Sequence, residues 1–204
     1  MPTPMEVYTK CDELDNIPKP NKNNWIFEIK LICKLIPRNS KVLQVGCMDG
    51  ARSIAILKIR PDLKITGLDI EPDMIKRSRL NTKRAGFKVN FICQDITKPV
   101  PLSGFDYVIC LNNTLGYIPE EKKAIANMKK LGKIMILSVY GEKFDNNLAT
   151  KYFKSINLQL KNIVGNIFYT EEFVNVKRYT KNEVKNWGGK IYKTPLGYFC
   201  VILS

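Results

Sequence analysis

Apolar positions along the chain follow two alternating rhythms. "KVLQV" (Lys41 to Val45), "KITGLDI" (Lys64 to Ile70), "KVNFIC" (Lys88 to Cys93), "FDYVICL" (Phe105 to Leu111) and "KIMILSVY" (Lys133 to Tyr140) are short runs rich in β-branched and aromatic residues, and read as buried strands. Between them the spacing lengthens to three and four. "NWIFEIKLICKLI" sets Trp25, Ile29, Ile32 and Ile36 on one helical face and ends at Pro37, and "ARSIAILKI" stops before Pro61. "EPDMIKRSRLNTKRAG" has Pro72 in its first turn and Gly86 at its end. "EEKKAIANMKKL" carries acids first and lysines last, matching the helix macrodipole.

Strands alternating with helices predict an α/β fold, a doubly wound and mostly parallel sheet with helices on both faces, because parallel neighbours need a crossover helix. Past Tyr140 the rhythm changes. "NLATKYFKSI" reads as a helix, "FYTEEFVNVKRY" as a strand, "TKNEVKNWG" as a helix opened by a Thr180–Glu183 capping box, and "GYFCVILS" as a closing strand. Upstream, Pro2, Pro4, Pro18 and Pro20 mark an irregular arm with a short helix near Met5 to Leu14. The expected organisation is a single domain over 1–204, with an N-terminal arm (1–23), a ligand-binding core (24–140), and a substrate cover with the C-terminal strands (141–204).

Composition narrows the chemistry. The chain has no histidine, and its six cysteines form no Cys-x-x-Cys pair, which removes most zinc arrangements and every histidine-based triad; no metal site is expected. Cys93, Cys110 and Cys200 lie in strand-like segments and are expected as buried, reduced thiols. No apolar run is long enough to span a bilayer, and the N-terminus lacks a basic region followed by an apolar one, so a cytoplasmic location without a membrane partner is the default. The net charge of +14 permits binding to RNA, although the lysines are spread through helices and strands rather than gathered in one run.

Candidate chemistry centres on "VLQVGCMDG". In a doubly wound sheet the ligand lies beyond the carboxyl ends of the strands, where the turn after the first strand meets a helix N-terminus. The Gly46-Cys47-Met48-Asp49-Gly50 row lacks the spacing of the nicotinamide fingerprint, and no ATP-type phosphate loop is present. What remains is a loop with its own acid, Asp49, then Asp69 at the end of strand two, placed to accept from a ribose diol, and Asp95 after strand three, placed to accept from an adenine amino group. A glycine loop and two acids without a phosphate clamp suit a nucleoside without phosphate, and S-adenosylmethionine is the cofactor that fits. Each acid also has a plainer reading: Asp49 as a helix cap, Asp69 as a strand-end turn residue, Asp95 as the cap of a turn.

"VLQVGCMDG", "GLDIEPDMI", "FICQDI" and "FDYVICLNNTLGYI", in that order, resemble the class I S-adenosylmethionine-dependent methyltransferases over Asn24 to Tyr140. The resemblance implies a seven-stranded sheet with an antiparallel last strand and a cofactor lying across strands one to four. It implies that Gly46 and Gly50 approach the methionine part, that Cys47 and Asp49 of the same loop are cofactor-binding, that Asp69 meets the ribose, and that Asp95 with Ile96 meets the adenine. Ile70 and Met74 would pack on the ring, and Leu111 and Asn112 would border the methyl-transfer site. Two positions depart from the family pattern. Gln44 stands where an acid is usual, and Met48 stands where a glycine is usual and has to adopt a positive φ.

On the substrate side, Asn113, Tyr117 and Tyr140 are candidates to orient the acceptor, with Glu142 at the same mouth and Tyr8 as part of a lid; a turn-forming asparagine or a core-edge tyrosine is the alternative for each. No catalytic base is identified. The expected activity is methyl transfer to nitrogen or oxygen of a small molecule. RNA as acceptor and a catalytically silent partner subunit are the alternatives, the latter motivated by Gln44 and Met48. The sequence leaves the oligomeric state open.

Overall fold

The computed structural model describes residues 17–172 and 174–203. The chain runs α1 (Lys19–Leu35), β1 (Lys41–Val45), α2 (Ala51–Ile59), β2 (Lys64–Asp69), α3 (Pro72–Arg84), β3 (Asn90–Cys93) and β4 (Phe105–Cys110). A 3₁₀ turn (Thr114–Tyr117), α4 (Glu121–Leu131), β5 (Gly132–Tyr140) and α5 (Asn146–Ser155) follow. Then come β6 (Leu160–Val164), β7 (Ile167–Thr170), β8 (Asn175–Lys177), α6 (Lys181–Asn186), β9 (Lys190–Lys193) and β10 (Gly197–Leu203).

Seven strands form one sheet in the order β3-β2-β1-β4-β5-β10-β9. The first five pair in parallel, and β10 is antiparallel to both β5 and β9. The α/β fold, the sheet size and the antiparallel last strand are as expected. Strand periodicity assigns each face. Leu43, Val108, Cys110, Met135, Leu137 and Cys200 pack with Ala124 and Met128 of α4 and Val184 of α6. Val42, Ile109, Ile136 and Phe199 pack with Ile29 and Ile32 of α1 and Ile56 of α2. The Thr180–Glu183 capping box opens α6 as the sequence predicts.

Four local expectations are corrected. α1 begins at Lys19, inside the region read as an irregular arm, because Pro20 occupies the first helical turn, where a missing N–H carries no penalty. "FYTEEFVNVKRY" is not one strand: β7 and β8 form a hairpin that pairs with β6 in a separate three-stranded sheet. β6 and β9 were not anticipated. Cys93 is exposed, at the tip of the short edge strand β3, whereas Cys110 and Cys200 are buried. The expected helix near Met5 to Leu14 lies outside the described residues, as does Tyr8. Among the described residues no helix is long and apolar enough to cross a membrane.

Candidate functional site

β1 runs into the Gly46–Gly50 loop, which hangs from the end of β2: the Gly46 and Cys47 amides both donate to the Leu68 carbonyl, at 2.8 and 3.1 Å. Gly46 has φ +68°, and a Cβ there would lie 2.3 Å from Thr114 Cγ2, so conformation and space both demand glycine. Met48 adopts φ +48°, the left-handed conformation anticipated for it. The Met48 amide donates to Asp69 Oδ2 at 2.8 Å, and the Glu71 amide to Oδ1 at 3.1 Å. Asp69 therefore fastens the loop to β2 and still keeps acceptor capacity for a ligand. Burial raises its pKa, against the amide bonds that favour the charged form.

Asp49 is engaged from both sides. Its Oδ1 accepts from the Ala51 amide at 3.0 Å, one residue before the Gly50 N-cap of α2, and its Oδ2 accepts from Asn81 Nδ2 at 3.1 Å. Asp95 Oδ1 accepts from the amide and hydroxyl of Thr97 at 2.8 and 2.7 Å, leaving Oδ2 to face Lys98 at 4.0 Å. Burial pushes the Asp95 pKa up, but the Thr97 hydrogen bonds and the Lys98 charge outweigh it and hold the carboxyl below its ordinary range.

These segments wall one side of a cavity of about 500 Å³. Gly46, Cys47, Met48, Asp49, Asp69, Ile70, Asp95 and Ile96 line it from beyond the ends of β1, β2 and β3, and Met74 from the first turn of α3. Ile70 presents an apolar side chain that is 57% exposed, and burial keeps the Cys47 thiol protonated. Ile17, Trp25, Arg52, Asn112, Tyr117, Tyr140 and Tyr152 also line it, from α1 and the residues before it, α2, the ends of β4 and β5, the 3₁₀ turn and α5, and are called the second wall below. There the Tyr140 hydroxyl donates to Asn112 Oδ1 at 3.0 Å and accepts from Asn21 Nδ2 at 3.3 Å.

Four expected site residues lie elsewhere. Gly50 is off the cavity wall; with φ +84° it opens α2 against Ser78 and Phe91. Leu111 is sealed in the core beneath α1 and α2. Asn113 is fully buried and its amide is spent on the main chain, Oδ1 accepting from Tyr140 N and Nδ2 donating to Lys177 O, both at 3.0 Å. It stitches β4, β5 and β8 together and presents nothing to an acceptor. Glu142 is bound by the Tyr198 hydroxyl and the Lys181 amide, away from the cavity. Gln44 is also off the wall, its Oε1 accepting from Ser53 Oγ at 2.7 Å.

Sequence reasoning missed a buried polar cluster behind the second wall. Glu28 is fully buried, and its Oε1 accepts from Asn24 Nδ2 at 2.8 Å and from the Ser138 hydroxyl. Its pKa is raised, burial prevailing over the Arg52 charge and the hydrogen bonds. A signal existed: Asn21, Asn24 and Glu28 continue the stripe of Ile29, Ile32 and Ile36, so polar residues occupy the buried face of α1 at its first turns.

Comparison with known proteins agrees with this geometry. The family model described as a methyltransferase domain matches residues 36–189. The carboxy-S-adenosyl-L-methionine synthase of Campylobacter concisus is 35% identical over 95 residues, 47% of this chain and 40% of that protein. The malonyl-[acyl-carrier protein] O-methyltransferase 2 of Ilyobacter polytropus is 27% identical over 169 residues, 79% of this chain and 61% of that protein. This chain thus spans about half the length of these curated relatives. The crystal structure of the PH0226 protein from Pyrococcus horikoshii shares the fold, with a TM-score of 0.68 at 20% identity, covering 91% of this chain and 93% of that one. With most of its length matched by the family model and its sheet in the order described, the chain belongs to the methyltransferase-domain family, the class I S-adenosylmethionine-dependent methyltransferases.

Proposed function

We propose that the protein transfers the methyl group of S-adenosylmethionine to a nitrogen or oxygen of a small molecule, as one catalytic domain working in the cytoplasm. The carrying observation is a cavity lined both by a glycine loop with strand-end acids and by aromatic and amide side chains. Its size is that of a small-molecule site.

The first wall fits the cofactor. Gly46 brings bare backbone to the cavity, Asp69 has acceptor capacity left for a ribose diol, Asp95 Oδ2 is available to an amino group, and Ile70, Met74 and Ile96 offer apolar surface to a ring. When bound, the cofactor supplies an electrophilic methyl on a sulfonium whose departure leaves a neutral thioether. The protein's own task is then to hold an acceptor in line at about 3–3.5 Å and exclude water. Asn112 and Tyr140, each holding the other's orientation, are suited to positioning a polar acceptor, and Tyr117 and Tyr152 supply apolar walls. An amine arriving neutral needs no strong base, in keeping with a chain without histidine.

The test is incubation with S-adenosylmethionine and separate panels of small amines, hydroxy compounds, carboxylic acids and bulk RNA, followed by mass spectrometry. A methylated small molecule together with S-adenosylhomocysteine is the expected result. Methylation confined to RNA would overturn the substrate class, and no turnover despite cofactor binding would favour a silent partner subunit.

A further inference from the structure

Arg52, in the first turn of α2, lines the cavity yet is only 7% exposed. A guanidinium carries five N–H donors and is costly to bury without acceptors. Here the Nε is buried without a partner, and among the described residues no hydrogen bond or ion pair satisfies the rest of the group. It lies against the Trp25 ring, with Cζ 5.7 Å from the centroid. Glu28 acts on it through charge: Glu28 Oε1 accepts from Asn24 and Ser138, Oε2 is itself buried without a hydrogen-bond partner, and no carboxylate oxygen comes within ion-pair distance of the guanidinium. The other titratable groups that feel this charge are Cys110 and Tyr140, both held protonated by burial.

A guanidinium that lines a cavity, with its Nε buried and no acceptor among the described residues, suits an anionic ligand. Planar carboxylates match the fork with two parallel hydrogen bonds. The surroundings limit the rest of the ligand: Trp25 and Tyr140 lie near Arg52, and Tyr117 and Tyr152 line the same cavity, so a body next to the anion that is apolar and flat fits best. Arg52 stands on α2 directly after the glycine loop, and its side chain reaches toward α1 and β5, beside the Trp25 ring and within electrostatic range of Glu28 and Tyr140.

We propose that Arg52 is the anchor of a carboxylate subsite in the acceptor half of the cavity, so that the methyl acceptor is a small carboxylic acid with an apolar, flat body. The inference rests on the methyltransferase reading above. The cofactor's amino-acid carboxylate is the other source of the same chemistry, and the experiment separates the two.

Wild type, Arg52→Gln and Arg52→Lys are titrated by calorimetry and followed by thermal shift. The probes are benzoate, its neutral isostere benzamide, S-adenosylhomocysteine, and methylthioadenosine, which has the nucleoside without the amino acid. Benzoate and benzamide are run with and without S-adenosylhomocysteine. The expected result is that benzoate stabilises the wild type and benzamide does not, that Arg52→Gln weakens benzoate about tenfold or more while S-adenosylhomocysteine is unchanged, and that Arg52→Lys restores part of the loss. Weakened S-adenosylhomocysteine with unchanged methylthioadenosine in Arg52→Gln would hand the guanidinium to the cofactor and overturn the proposal. Equal behaviour of benzoate and benzamide, or of wild type and Arg52→Gln toward benzoate, would overturn it as well. If S-adenosylhomocysteine failed to bind the wild type, the cofactor reading would fall, and the benzoate arm without it would still decide the role of Arg52.

Discussion

The two walls of the cavity are built by different means. The wall at β1, β2 and β3 is local: each functional side chain sits at a strand end or one turn beyond it, held by main-chain bonds such as Met48 N to Asp69 and Thr97 N to Asp95. The second wall is assembled from separate parts of the chain, joined by side-chain bonds across long sequence distances, among them Ser138 to Glu28, Asn21 to Tyr140 and Tyr140 to Asn112. A main-chain scaffold holds one geometry for one ligand. Side-chain networks can be rewritten residue by residue, which would suit the acceptor side of the reaction proposed above.

The contrast predicts that damage to the first wall abolishes cofactor binding, whereas damage to the second spares it. Gly46→Val should have the largest effect. The new side chain meets Thr114 in a left-handed backbone, so S-adenosylhomocysteine affinity should fall about 100-fold or beyond detection in calorimetry, with a melting temperature lower by several degrees. Asp69→Asn keeps the shape and loses the charge, and should weaken the same ligand by about 10- to 100-fold, the size expected for a charge-assisted hydrogen bond.

Tyr140→Phe removes the hydroxyl shared by Asn112 and Asn21 and should cost about 1–2 kcal/mol, a fall of about 2–8 °C in melting temperature, with S-adenosylhomocysteine affinity unchanged. Loss of cofactor affinity in that variant would erase the distinction between the walls. Glu28 sharpens it through pH. Its folded pKa lies above the ordinary value of 4.5, so the folded state binds more protons than the unfolded chain between the two values, and ionisation there lowers stability as pH rises. Denaturant melts across that window should slope downward in wild type by at most about 1.4 kcal/mol per pH unit from this group, and the slope should flatten in Glu28→Gln. Met48→Gly should have the smallest effect, a gain within about 1 kcal/mol, because relief of the left-handed conformation is partly offset by the entropy of glycine.

Legibility in the sequence follows the same divide. The five parallel strands, their crossover helices, the loop, Asp69 and Asp95 could be read because buried parallel strands leave continuous apolar runs and the ligand sits at their ends. β9 escaped notice because it is an edge strand with exposed lysines at both ends, Lys190 and Lys193, and β6 because it is a largely exposed edge of the small sheet. Asn113 drew a functional reading from its place after β4, yet its amide is consumed by Tyr140 N and Lys177 O, partners that no local pattern reveals. Arg52 and Glu28 went unread although Glu28 lies on the apolar stripe of α1; their meaning depends on α1, α2 and β5 meeting in space.

The central claim is that the Gly46 loop, Asp69 and Asp95 form the seat of S-adenosylmethionine. Calorimetric titration of the wild-type protein with S-adenosylhomocysteine, beside Gly46→Val, tests it most directly. One site per chain with micromolar affinity, lost in the variant, is the predicted result. No heat and no thermal shift in the wild type at millimolar ligand would contradict the account.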